Sequence, residues 1–154
     1  MALVRVRGRV HLRGSISDTM KMLNLTRVNH CSLVFDQNKF KGMLSVVKDY
    51  ITWGELDEKT LSRLLKERAR VVGDKRLNDA YVKANSKFDS IKSLSDALMK
   101  GEVRVTEVKG LKKVFRLSPP KKGYERKGIK APYSTHGALG YRAEKINELI
   151  ERMV

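Results

Sequence analysis

The residues with the most chemical capacity lie between Lys112 and Gly140, in the stretch KKVFRLSPPKKGYERKGIKAPYSTHGALG. Eight of them are cations: Lys112, Lys113, Arg116, Lys121, Lys122, Arg126, Lys127 and Lys130. Glu125 is the one acid among them, and rings recur at Phe115, Tyr124, Tyr133 and His136. Such a density of charge cannot be neutralised from within. The chemistry it offers is the binding of a polyanion, with rings available to stack on exposed bases. All three prolines, Pro119, Pro120 and Pro132, fall in this stretch, and Gly123, Gly128, Gly137 and Gly140 interrupt it. No period of 3.6 or 2 survives past Leu117, so the segment reads as a long loop. Loops beyond ~15 residues are functional or disordered in most compact chains. The plain alternative is a solvated basic segment that orders only on its partner.

Other chemistries are poorly served. Gly123 to Gly128 has the GxxxxG spacing of a phosphate loop, but Ile129-Lys130 follows where Lys-Ser/Thr is required. His11, His30 and His136 have no metal-ligand spacing to one another. His30 and Cys31 adjoin within a strand pattern, so their side chains point to opposite faces. Cys31 then reads as a small core residue. The acids sit mainly on helix surfaces, without a general acid/base pair. The expectation is a protein that is not an enzyme and needs no metal or cofactor.

The composition agrees. The chain has 154 residues, a formal net charge of +16 and a pI of about 10.1. Residues 111–154 carry 11 basic and 4 acidic groups, so the last segment is the most charged for its length. That balance favours nucleic acid or an anionic membrane surface. A membrane partner is disfavoured, because no apolar run approaches the ~20 residues of a span. The basic stretch is also too broken by Pro and Gly to form an amphipathic helix. A single cysteine excludes an intrachain disulfide and fits a reducing cytoplasm. MALVRVRGRVHL lacks the apolar core of a secretory signal.

Elements must position these cations. ALVRVR alternates, with Val4 and Val6 expected toward a core and Arg5 and Arg7 toward the other side. A basic loop with Arg9, His11 and Arg13 follows. Ser15 with Asp18 resembles a capping box for a helix to about Leu23, striped by Ile16, Met20 and Leu23. Residues 26–29 form a turn bearing Arg27. Residues 30–35 read as a strand, and Asp36 with Asn38 as a turn and cap. Phe40, Met43, Leu44 and Val47 stripe a second helix whose polar face carries Lys39, Lys41 and Lys48. Residues 50–53 form a third strand, ended by Gly54. This is β-α-β-α-β in about 55 residues. The economical packing puts both helices on one side of a three-stranded sheet, and leaves the other side to polar residues, Arg5 and Arg7 among them.

Beyond it, Asp57 caps a helix lined by Leu61, Leu64, Leu65 and Ala69, running to about Val71. Further helices are expected over 78–88 and 90–99, a strand or turn over 102–109, and a strand over 113–117. Lys66, Glu67, Arg68 and Arg70 read as a solvated face. Ile146, Leu149, Ile150 and Met153 stripe a terminal helix over 142–153 that needs the 60–100 helices as its partner. Docking it would tether both ends of the basic loop.

These residues carry a resemblance. ALVRVRG, LNLTRVNH (Leu23, Leu25, Arg27, Asn29), the KGM of the second helix (Lys41, Gly42, Met43) and VKDYITWGEL are similar to the L-thirty family of large-subunit ribosomal proteins. FRLSPPKKGYERKGIK, GALGYR and KINELIERM resemble its longer archaeal and eukaryotic form. The eukaryotic N-terminal extension is missing, so the archaeal form is the nearer. The resemblance implies an α+β fold: a three-stranded ferredoxin-like β-α-β-α-β core, a mainly helical C-terminal extension and a long basic loop. The expected division is 1–56 core, 57–110 helical extension, 111–141 short strand and basic loop, and 142–154 terminal helix.

The implied function is structural. The chain would bind and bridge large-subunit rRNA, 23S with 5S as a further contact, beside other large-subunit proteins, in cytoplasmic ribosomes. Expected RNA-facing residues in the core are Arg5, Arg7, Arg9, Arg13, Arg27, Asn29, His30, Lys39 and Lys41. In the loop they are Lys112, Lys113, Arg116, Lys121, Lys122, Tyr124, Arg126, Lys127, Lys130, Tyr133 and His136, with Arg142 beyond it. Arg116, Arg126 and Arg142 carry most weight, because guanidinium grips phosphate in two places. The rival readings are a non-ribosomal DNA- or RNA-binding architectural protein, and a small-molecule regulatory domain of similar topology.

Overall fold

The computed structural model describes residues 1–35 and 37–154. The first five elements follow the expected order: β1 (Ala2–Arg5), α1 (Gly14–Met22), β2 (His30–Leu33), α2 (Gln37–Val47) and β3 (Ile51–Gly54). Then come α3 (Glu58–Arg68), α4 (Asp79–Asn85), α5 (Ile91–Lys100), β4 (Val114–Arg116), β5 (Gly140–Tyr141) and α6 (Ile146–Met153). The fold is α+β, as expected.

Among the described residues the sheet has five strands, in the order β4-β2-β1-β3-β5. β1 is central and antiparallel to β2 (Leu3 opposite Ser32) and to β3 (Leu3 opposite Trp53). The C-terminal half adds both edges. β4 pairs antiparallel with β2, placing Phe115 opposite Cys31. β5 pairs parallel with β3, placing Gly140 opposite Thr52 and Tyr141 opposite Trp53.

Strand alternation separates two cores. Leu3 and Ile51 meet Met20, Leu23, Leu44 and Val47 beneath α1 and α2. Ala2, Val4, Cys31 and Phe115 meet Leu64 and Leu65 of α3, Leu94 and Leu98 of α5, and α6. The sheet therefore has helices on both faces. The expectation that its second face is left to polar side chains is corrected, because Ala2 and Val4 need covering and the extension supplies it. Ile146, Leu149, Ile150 and Met153 of α6 are each fully buried, with about 1.5–3 kcal/mol at stake per side chain. Val6 buries separately, against Ala138 and Leu139 of the basic loop.

The local details show what caps do and do not achieve. Ser90 and Ser93 form a reciprocal capping box at the start of α5, and Gly101 closes it in the left-handed conformation. Ser15 is not a cap, because α1 starts one residue earlier after extended Arg13. Asp57 stands at the N-cap of α3, yet its carboxylate makes no capping bond. Its N–H instead donates to Asn147 Oδ1 at 3.0 Å, tying α3 to α6. The segment 102–109 contains a 3-10 turn at Val105–Glu107. The expected cap at Asp36 lies outside the described residues.

Arg68 leaves the solvated face assigned to it. Its Nη2 donates to Ser118 Oγ at 2.7 Å and to the Val154 carbonyl at 2.7 Å. A guanidinium at the carbonyl end of α6 is favourable for hydrogen bonding and for the helix dipole.

Candidate nucleic-acid interface

The basic loop is built into the fold. Its ends are fixed in the sheet by β4 and β5. At its start, Ser118 and Lys121 donate N–H bonds of 2.9 Å to the Met153 and Arg152 carbonyls of α6. Further along, it folds on itself: Lys127 N–H reaches His136 O at 3.1 Å, and Tyr133 N–H reaches Leu139 O at 2.7 Å. Gly137 makes this possible, because a Cβ there would collide with the Ala131 carbonyl. Much of the loop's backbone thus finds partners within the fold.

Two of the expected RNA-facing arginines do not face outward, and this corrects the reading. Arg5 lies on the same face of β1 as Leu3 and is 3% exposed. Its guanidinium donates to Leu25 O at 2.8 Å, Thr26 O at 3.0 Å and Arg7 O at 2.9 Å, holding the turn after α1. Arg142 is 1% exposed at its side chain. It pairs with Glu125, donates to Thr52 Oγ1 at 2.8 Å and Ala138 O at 3.0 Å, and lies 4.6 Å over the Tyr133 ring. Both guanidinium groups serve the fold: carbonyls and a carboxylate satisfy that of Arg142, and carbonyls satisfy Nε and Nη1 of Arg5, whose Nη2 is buried without a partner.

Tyr124 and Asn29 are also held within the protein. Tyr124 Oη donates to Asn29 Oδ1 at 3.1 Å, and its ring packs on the core. Burial, the largest influence, pushes its phenol upward. Asn29 occupies the left-handed region at φ 62°, and its carbonyl accepts from Leu117 N–H at 3.0 Å. His30 accepts from the Arg27 N–H at 3.3 Å through Nδ1. Burial and then the charges of Arg116, Arg27 and Arg5 hold its imidazole below its usual 6.5. That neutral ring suits an acceptor.

The remaining cations fall into groups. Lys112 and Arg116 both contact exposed Asp74, Arg116 at 3.2 Å. The Lys112 hydrogen bond first, and then the Arg116 charge, lower that carboxyl. Lys39 and Lys113 border a depression of about 400 Å³ floored by Leu23, Leu33 and Phe40. Arg126, Lys127, Tyr133 and His136 line a cleft of about 940 Å³ together with Lys145. A second cleft, of about 870 Å³, gathers Arg7 and Arg13 from the β1–α1 connection, Lys48 from the α2–β3 connection and Lys130 from the long loop, with His11 beside them. Tyr50, Trp53 and Tyr141 line it too, and Asp49 is its acid. Arg7 lies 4.8 Å over the Tyr50 ring and donates to the Asp49 carbonyl at 3.1 Å. Arg9, Arg27, Lys41, Lys121 and Lys122 are exposed outside these two clefts.

Sequence reasoning passed over Lys145, Trp53 and Tyr141 as site residues and left Lys48 on a helix face. Trp53 and Tyr141 carry no charge signal, and only the parallel pairing of β3 with β5 sets them side by side.

The fold and the outward display of cations define a class: a small basic α+β protein with a ferredoxin-like unit enlarged by a second helical layer. Comparison with known proteins makes this specific. The sequence model of the family described as Ribosomal protein L30p/L7e matches residues 1–51. The large ribosomal subunit protein uL30 of Nanoarchaeum equitans is 49% identical over 153 residues, covering 99% of this chain and 97% of that protein. Those of Methanosphaera stadtmanae and of Methanococcus maripaludis strain C5 are 46% and 47% identical, over 99% of this chain and 99% and 98% of theirs. The chain belongs to the uL30 (L30p/L7e) family of ribosomal proteins, in its archaeal form.

Proposed function

We propose that the chain is a non-enzymatic structural constituent of the large ribosomal subunit, in the cytoplasm, where it binds and bridges 23S rRNA. The observation that carries this is the convergence of Arg7, Arg13, Lys48 and Lys130 on one aromatic-lined cleft. Cations brought together from the β1–α1 connection, the α2–β3 turn and the long loop suit the closely spaced phosphates of folded RNA. The Arg126–Lys127–His136 cleft offers a second grip, and two grips on one rigid body make a bridge. Phosphate contacts would set position and affinity, with few base contacts, since folded RNA is read largely by shape. 5S rRNA and neighbouring large-subunit proteins are further proposed partners. In this reading residues 1–56 are the RNA-gripping core, 57–110 the supporting helices, 111–141 the second grip and 142–154 the helix that anchors it.

The test is binding of 23S rRNA fragments as a function of salt. Replacing Arg126, Lys127 and Lys130 by Gln should lower the slope of log affinity against log salt by about 0.7–0.9 for each phosphate that is no longer neutralised. An unchanged slope would refute the loop's part. Competition by duplex DNA as effective as that by rRNA would favour the non-ribosomal architectural reading.

A further inference from the structure

The structure holds an aromatic ridge that phosphate binding alone does not use. Trp53 and Tyr141 are register partners in the parallel β3–β5 pair, so their rings stand on the same face of the sheet. The ring centroids are 6.5 Å apart at an interplanar angle of 44°. Tyr141 is 50% exposed although it is a strand residue. Its ring is held upright by an Oη–H bond of 2.8 Å to Glu55 Oε1. The ridge separates two depressions. On one side is the cleft with Arg7, Arg13 and Lys130; on the other is a depression of about 430 Å³ with Lys41 and Ser45. Both rings and Lys48 border both sides.

We propose that this ridge is a base-stacking site, at which one unpaired RNA nucleotide lays its base on the Trp53–Tyr141 rings while its flanking phosphates enter the two basic depressions. The site rests on the rRNA-binding reading and adds to it a specific chemistry, recognition of an unstacked base. Three observations favour a nucleotide over a protein side chain. The rings present their surface between cations; a strand crossing the ridge meets positive charge before and after it; and a ring pair offers a π-surface that any base can use. Of the acids nearby, Glu55 accepts the Tyr141 hydroxyl and Glu144 also acts on that ring, while Asp49 lines the cleft and bonds Arg7 only through its backbone carbonyl.

Trp53 is the only tryptophan of the chain, so its fluorescence reports the site directly. The full-length protein is titrated with a single-stranded octamer of adenylate and, at equal phosphate, with inorganic polyphosphate. Stacking predicts strong quenching by the octamer and little by polyphosphate. Y141A should weaken the octamer about tenfold, the lower-middle of the range for removing one stack, a larger loss than it causes for polyphosphate. Y141F keeps the ring and should retain most of the affinity. Equal quenching by the two polyanions, or an unchanged octamer affinity in Y141A, overturns the stacking site while leaving rRNA binding intact. Failure of wild-type protein to bind either polyanion or 23S rRNA overturns both.

Discussion

Arg142 and Glu125 meet in a two-pronged pair, Nη1 to Oε1 at 2.6 Å and Nη2 to Oε2 at 3.2 Å, at the base of the basic loop. Arg152 adds a third interaction with the same carboxylate at 3.6 Å. The one acid of the 112–140 stretch is thus a tether. It joins the loop to an arginine that also bonds Thr52 on β3, and to α6 through Arg152.

Removing the acid strands the cation. E125A should cost about 3 kcal/mol, near the lower end for breaking a buried pair, because Glu125 keeps some exposure to water. Urea unfolding at neutral pH measures it. R142K, which keeps the charge but loses the fork, should also destabilise.

The same pair gives an acid-side pH dependence. Partial burial pushes the Glu125 carboxyl up, but the Arg142 bond, its own backbone bond and the charges of Arg142 and Arg152 outweigh it, so it sits below its usual 4.5. A carboxyl lowered on folding stabilises the protein above the unfolded value. That contribution is lost as pH falls below about 4.5 and through the folded value. E125Q should be less stable at neutral pH and show a shallower loss in acid, as read from urea midpoints against pH.

His30 acts in a different window. Its imidazole is held below 6.5 on folding, so the unfolded chain binds the proton more readily. Stability should therefore rise with pH up to about 6.5 and decline below it. H30Q should remove this part of the curve while leaving the Glu125 part. An NMR titration locating the His30 ring transition at or above 6.5 would contradict the assignment.

Gly137 should not tolerate a side chain. A Cβ there would meet the Ala131 carbonyl, with its carbon and Cβ close behind. G137A should open the Lys127–His136 and Tyr133–Leu139 bonds and make the loop a substrate for limited trypsin cleavage at Lys127 and Lys130, conditions under which wild type resists.

Cys31 should be inert in the native protein. It is fully buried opposite Phe115, and burial raises its thiol to about 12. Maleimide labelling at neutral pH should track global unfolding in urea, since only the opened chain exposes a thiolate-forming group. Rapid labelling without denaturant would contradict the β2–β4 packing.

Much of this molecule was legible in the chain itself. The 3.6 and 2 periodicities of Leu44 and Val47, of Val4, and of Ile146 to Met153 are local properties, set by the geometry of each element. They located the helices and four of the five strands to within a few residues, and the charge count located the loop; the two-residue β5 carries no period and was not found. The tertiary structure decided which cations are available. Arg5 and Arg7 look alike in sequence, yet one is enclosed by the carbonyls of the turn after α1 and the other borders a cleft. Arg142 reads as a phosphate ligand until Thr52, 90 residues away, and Glu125 are brought beside it. Trp53 and Tyr141 become a ridge only through the β3–β5 pairing. A charge or a ring acquires its role from what surrounds it. Those surroundings are assembled by long-range strand pairing that no local period encodes.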